Sequence, residues 1–175
     1  MQSRGALAGT NGGYFHPDRT PLGLVVSDGK IVHPMETAKL LSGIVAVKNN
    51  SAFLMRPISF MAGSGRSQAL QAGPFLVDHG KAAPGLNAAR PAARTVVLAD
   101  ANGVRALLIS DAVTLAEMAQ ILTSASILPG LKIERALNLD GGSSTGLWVD
   151  AKPEPFYSRE GKAVRNYLAL VPSQK

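Results

Sequence analysis

Thr95 to Asp100 and Val104 to Ser110 are two β-prone arms on either side of Ala101-Asn102-Gly103, and a chain written this way closes as a hairpin. The same grammar recurs along the sequence. Leu22 to Val26 and Lys30 to His33 flank Ser27-Asp28-Gly29, Gly43 to Val47 and Ala52 to Arg56 flank Asn49-Asn50, and Gly73 to Val77 runs into the turn Asp78-His79-Gly80-Lys81. Ala136 to Leu139, Gly146 to Asp150 and Val164 to Val171 read as further strands. One stretch departs from the pattern. Thr114-Leu115-Ala116-Glu117 is a capping box, and Leu115, Met118, Ala119 and Leu122 then repeat at helical spacing until Pro129-Gly130 ends the helix. The expectation is an α+β (mixed α/β) fold, a single domain over residues 1–175 with a curved, largely antiparallel β-sheet packed by one or more helices.

Three segments carry no strand signal. Ala62 to Ala72, rich in Gly, Ser and Gln, reads as a surface loop; Ala82 to Ala93 reads as an irregular connection that delivers Arg94 and Thr95 to the head of a strand; Ala151 to Gly161 reads as a polar connection. Apolar residues make up 46% of the 175 and charged residues 17%, which favours a folded domain with a sizeable core over disorder. Cysteine is absent, so disulfides, cysteine-ligated zinc and a cysteine nucleophile are excluded. The net charge of +6 favours an anionic partner. Its basic residues are scattered with no array of aromatics between them, so nucleic acid is not the expected partner. The first residues hold too little apolar sequence for a signal peptide, and no run reaches the length of a membrane span.

Chemistry concentrates in Asn138-Leu139-Asp140-Gly141-Gly142-Ser143-Ser144-Thr145. An apolar strand end meets a carboxylate, a glycine pair and three hydroxyls, and the glycines permit backbone conformations or close approaches that other residues resist. That set suits a polar, oxygen-rich ligand, although a glycine turn between two strands is the plainer reading. Asp18, Asp111 and Asp140 are the carboxylates at strand ends or turns, and carboxylates in pairs can carry acid/base or nucleophilic chemistry at an acetal carbon. Arg94 is the candidate anion clamp. Ser143 and Ser144 lack the G-x-S-x-G elbow of a hydrolase nucleophile, so they are read as ligands. Asn11-Gly12-Gly13 reads as a tight turn anchored by Tyr14 and Phe15. His16 stands without a second histidine nearby, which favours a local hydrogen-bonding role. Trp148 could stack on a sugar, although packing is the commoner use. Asp140 and its hydroxyl neighbours are hard oxygen donors, so a divalent metal is left open while no cofactor is assigned.

Asn11-Gly12-Gly13-Tyr14-Phe15, Gln71-Ala72-Gly73-Pro74, Arg94-Thr95, Asn138 to Thr145 and Asn166, in this order along nearly the whole chain, resemble the phosphodiester glycosidase family. The resemblance implies hydrolysis of an N-acetylglucosamine-like sugar-1-phosphodiester to free sugar and a phosphomonoester. It implies Asp140, Asp111 and Arg94 as catalytic, and Asn11, Gly12, Gly13, His16, Thr95, Gly141, Gly142, Ser143, Ser144, Thr145 and Asn166 as substrate-binding. For bacterial members it implies exopolysaccharide or cell-envelope work, hence a periplasmic, secreted or envelope location. Ser143 replaces the family's usual third glycine, and the family's strands before Asn-Gly-Gly have no counterpart in this sequence. That short start, with exposed sheet edges, makes a homodimer an expectation. The competing reading is a non-catalytic carbohydrate or envelope-glycopolymer binding domain.

Overall fold

The computed structural model describes residues 5–60, 65–124 and 130–172. Part of the loop expected from Ala62, and Pro129 at the expected helix stop, lie outside the described residues. Three antiparallel sheets form the architecture. The first has the order β13-β12-β1-β14, from Phe156–Ser158, Leu147–Val149, Ala8–Asn11 and Tyr167–Leu170. The second has the order β10-β9-β11-β7-β8, from Gly103–Val113, Ala92–Asp100, Arg135–Asn138, Phe75–Asp78 and Lys81–Ala82. The third has the order β3-β2-β6-β4-β5, from Lys30–His33, Val25–Ser27, Gln68–Ala72, Gly43–Lys48 and Ser51–Met55. A single α-helix among the described residues, α1 (Leu115–Thr123), packs on the second sheet.

This corrects the α+β expectation. Strand accounts for 43% of the described residues and helix for 9%, so the protein is mostly β, and one helix covers part of one sheet instead of forming a layer. Sequence reading missed four strands, one of them the two-residue β8 at the join of an expected turn and an expected irregular connection. β1 lies where a turn around Asn11 was expected, β6 lies inside the Gly/Ser/Gln-rich stretch read as a loop, and β13 lies in the supposed polar connection. Each is short, and what holds it is pairing across the sheet: β1 sits between β12 and β14, and β6 between β2 and β4. Local propensity carries little of that information.

The core explains why the second sheet is central. Val96, Leu98, Leu76 and Ala136 face α1 through Met118, Ala119 and Leu122, whereas Val97, Ala99, Phe75 and Leu137 face Val45 and Leu54 of the third sheet. β9 is therefore buried on both faces from Thr95 to Ala99, which accounts for its unbroken apolar run. The helix begins as expected: Thr114 Oγ1 accepts from Glu117 N–H at 3.1 Å and Glu117 Oε2 accepts from Thr114 N–H at 2.8 Å. Gln71 acts as a buried clamp. Its amide binds the backbone of Leu24, Glu36 and Leu41, fixing the 24–41 segment against β6. No helix among the described residues is long and apolar enough to cross a membrane.

Candidate active site

Two sheets meet where β1 and β11 end, and Asn11 is the pin. Its Nδ2 donates to the Asp140 carbonyl at 2.7 Å. Its Oδ1 accepts from Thr95 Oγ1 at 2.8 Å, from Thr10 Oγ1 at 3.2 Å and from Gly146 N–H at 3.2 Å. Asp140 N–H in turn donates to the Gly12 carbonyl at 3.1 Å, and Leu139 N–H to the Thr95 carbonyl at 2.8 Å. Asn11 and Thr95 are both buried, so these bonds are well shielded from water. Asn11, Thr95 and the Asp140 backbone thus form one network although Asn11 and Asp140 are 129 residues apart.

The glycines are there for close approach more than for turning. Gly12 and Gly13 do not make a tight turn with positive φ; they leave β1 and pass under Asn166, whose Oδ1 accepts from Gly13 N–H at 2.7 Å and whose carbonyl accepts from Gly12 N–H at 2.9 Å. A Cβ on Gly12 would stand 2.0 Å from Asn166 Oδ1. After Asp140 the chain bends through Gly141, where a Cβ would meet the Ala93 carbonyl at 2.7 Å, and Gly142, which has φ +59°. A 3-10 turn over Gly142–Ser144 follows. Thr145 brings its Oγ1 to 3.3 Å from Thr95 Oγ1. Ser144 is fully buried with its Oγ unpartnered among the described residues, while Ser143 is exposed and holds Gly161 and Lys162 through its carbonyl.

Asp140 keeps its side chain at the surface of this network. Its Oδ1 accepts from Gly141 N–H at 2.9 Å, and the residue is half-buried. Tyr14 lies within its electrostatic reach. The Tyr14 phenol donates to the Gly73 carbonyl at 2.7 Å and accepts from Asn138 Nδ2 at 2.9 Å. Burial first and the Asp140 charge second push its pKa far above the usual tyrosine value, outweighing the Asn138 bond and the Arg94 charge, so the phenol stays neutral. Arg94 is the cation within electrostatic reach of Tyr14. Burial lowers its pKa and Tyr14 opposes the shift, yet arginine remains charged at any physiological pH. Its Nε donates to the Val113 carbonyl at 2.9 Å and its Nη2 to the Arg90 carbonyl at 2.7 Å. Those bonds fix the plane of the guanidinium and leave Nη1 outside them.

The remaining sequence candidates separate. Asp111 does not end a strand; it is exposed within β10, at the register shift between Ser110 and Val113, and lines a groove of about 390 Å³ together with Ser110, Gly142, Thr145, Ser158 and Arg159. His16 and Asp18 belong to an exposed loop, where Asp18 Oδ1 binds Thr20 and the His16 backbone closes on Thr20 and Arg19. The structure does not bring these two to the Asn11 network. Sequence reading missed the polar roles of Tyr14, taken there as a core anchor, and of Asn138; a tyrosine beside a glycine pair gives no sign of where its hydroxyl ends. Among the described residues no group of three or more His, Asp or Glu side chains is gathered that could hold a metal ion.

A phosphodiester glycosidase family model matches residues 4–171. A comparison with curated protein sequences gives no match. Among solved structures, the fold is similar to that of the catalytic domain of zebrafish N-acetylglucosamine-1-phosphodiester alpha-N-acetylglucosaminidase, auto-inhibited by its pro-peptide, with TM-score 0.70 and 17% sequence identity. The alignment covers 98% of this chain and 65% of that one, so the chain spans about two thirds of its structural relative.

Proposed function

The chain belongs to the phosphodiester glycosidase family, and from that premise we propose that it hydrolyses a sugar-1-phosphodiester, releasing free sugar and a phosphomonoester. The observation that carries this reading is the placement of Asp140: its backbone is locked by Asn11 and Gly12 while the residue is left half-buried, and its carboxylate and Arg94 both act on Tyr14. A fixed carboxylate and a fixed cation, both within electrostatic reach of one tyrosine, suit a reaction in which water attacks one atom while negative charge collects on another.

In this mechanism Asp140 orients water toward the anomeric carbon and accepts its proton. The bond from the anomeric carbon to the phosphate oxygen breaks, and its electron pair leaves with the phosphate. Arg94 and the Gly141–Gly142 amides offset the charge that develops there. Because a phosphate is already a good leaving group, a dedicated general acid is not required. The neutral Tyr14 phenol, with its proton committed to the Gly73 carbonyl, positions Asn138 and takes no part in proton transfer. Asp111 and Arg159, which line one groove with Gly142 and Thr145, are the groups available to the leaving portion of the substrate.

The test is time-resolved product analysis with an N-acetylglucosamine phosphodiester. Wild-type protein is expected to release free sugar, and Asp140→Asn to lose at least about a hundredfold in rate, the scale of a positioned acid/base group, with an unchanged circular dichroism spectrum. Turnover by folded Asp140→Asn at the wild-type rate would remove Asp140 from the mechanism. If wild-type protein binds the substrate without product, the non-catalytic carbohydrate reading takes over.

A further inference from the structure

The first sheet carries a slot that the reaction above does not use. Its register pairs Tyr157 with Trp148, Trp148 with Gly9 and Gly9 with Ala169, and in the adjoining row Asn11 with Tyr167. Cross-strand partners share a face, so one face presents Tyr157 and Trp148 on one side, Tyr167 on the other, and two small residues between. Gly9 has no side chain to fill the floor. The result is a concave slot of about 320 Å³, lined also by Glu160 and Asn11. Its outer walls are half-exposed, Tyr157 at 47% and Tyr167 at 52%, whereas Trp148 at 9% forms the base.

The lining chemistry is selective. Aromatic rings with a few convergent polar groups are how small-ligand sites are built. Glu160 supplies a carboxylate whose Oε2 accepts from Tyr157 Oη at 2.9 Å, and Arg159 lies over the Tyr157 ring at 5.4 Å from its centroid. Among the described residues, no lysine or arginine lines the slot. A phosphate would meet the Glu160 carboxylate there, while Arg159, over the Tyr157 ring, is not among the lining residues, so an anion is the wrong occupant. A flat protein partner would not fill a slot with a glycine floor.

We propose that this slot is a binding subsite for a neutral hexopyranose unit of a glycan. The apolar C–H face of the ring lies over Gly9 against Trp148 and the tyrosines, and its hydroxyls reach Glu160 and the Tyr167 phenol. Asn11 lines the slot and is also the pin of the Asp140 network, so a bound glycan lies next to the reacting centre. The two grooves flanking the 142–146 segment divide the work: the one with Asp111 and Arg159 is polar and holds a cation, and this one is aromatic and does not. The inference rests on the proposed function only for the choice of a sugar as occupant.

Trp148 is the one tryptophan of the chain, so its fluorescence reads the slot directly. The probes are neutral tetrasaccharides of glucose, galactose, mannose and N-acetylglucosamine, titrated into the full chain with emission and calorimetry followed together. At least one is expected to give a saturable Trp148 response. Tyr157→Ala and Tyr167→Ala, both exposed enough to be replaced without loss of core, are expected to weaken that binding about tenfold each, while Asp140→Asn binds as wild type. Absence of a saturable response to all four probes, or wild-type affinity in both tyrosine variants, would overturn the subsite. So would a dimer, seen in sedimentation, that hides Trp148 and dissociates on Tyr167→Ala, because the face would then belong to a second copy. Tetrasaccharide binding without sugar release from a phosphodiester would sink the hydrolase reading and leave the subsite standing; sugar release without any Trp148 response would do the reverse.

Discussion

Single residues at the candidate site do more than one thing each, and Tyr14 shows how. Its hydroxyl bridges Gly73 and Asn138, linking the segment before β7 to the strand end that carries Asp140. Replacing Tyr14 with Phe removes both bonds at little change of shape and is expected to cost about 1 kcal/mol of stability near neutral pH. The pH dependence has a defined sign. With its folded pKa above the ordinary value of 10.0, Tyr14 holds its proton in the native state after the unfolded chain has released it. The unfolded chain then binds fewer protons, so stability falls as pH rises. That contribution is complete below about pH 10 and drains away above it. Urea denaturation across the alkaline range should show a descending limb for wild type that is shallower in Tyr14→Phe, and equal limbs would show that Tyr14 does not carry the effect. Asn11 is the other such residue, since its single amide fixes the Asp140 carbonyl, Thr95 and Gly146 at once.

Among elements, α1 is the one whose local rules were complete in its sequence. The capping box satisfies two N-terminal donors that would otherwise be left unpaired, and bonds from Thr114 draw the Glu117 carboxyl below the usual range. Met118, Ala119 and Leu122 then seat the helix on the second sheet. Thr114→Ala is expected to lower unfolding free energy by about 1 kcal/mol in a urea melt. Because Thr114 follows directly on β10, whose Val113 carbonyl holds Arg94, the same variant should also blunt hydrolysis if the frayed helix start loosens that arginine. The short strands behave differently. β1, β6 and β13 have three to five residues each and stand only because neighbours pair with them. Asn11, read in isolation as part of a turn, is the last residue of β1 for that reason.

For the whole molecule, the joint between the second and third sheets is as telling as the site. Asp78 at the end of β7 accepts from Arg56 at 2.6 Å and pairs with Arg135 of β11 at 3.2 Å, and Arg135 also donates to the Leu54 carbonyl of β5 at 2.7 Å. Both guanidiniums lie by the Phe75 ring, 4.6 and 6.0 Å from its centroid. Asp78→Ala would leave two like charges side by side without their shared partner. A fully buried pair broken this way costs about 3–5 kcal/mol, but Arg56 is 41% exposed and water screens it, so about 2 kcal/mol is expected in a denaturant melt; a change under about 0.5 kcal/mol would show that the joint rests on apolar packing alone. Hairpins, the capped helix and the glycine-rich Asp140 turn were all legible in the sequence, because each is governed by residues a few positions apart whose steric and hydrogen-bonding preferences act locally. The family motifs were legible as well, since they are strings of residues. The mostly-β architecture was not, because β1, β6 and β13 exist by pairing with strands far along the chain. Nor was the sorting of carboxylates, which left Asp140 on the Asn11 network, put Asp111 on the lining of a groove and sent Asp18 to an outer loop. Contacts over more than a hundred residues made those choices, and sheet closure, which buries Asn11 against Thr95 and stops Gly12 against Asn166, has no expression in any short stretch of sequence.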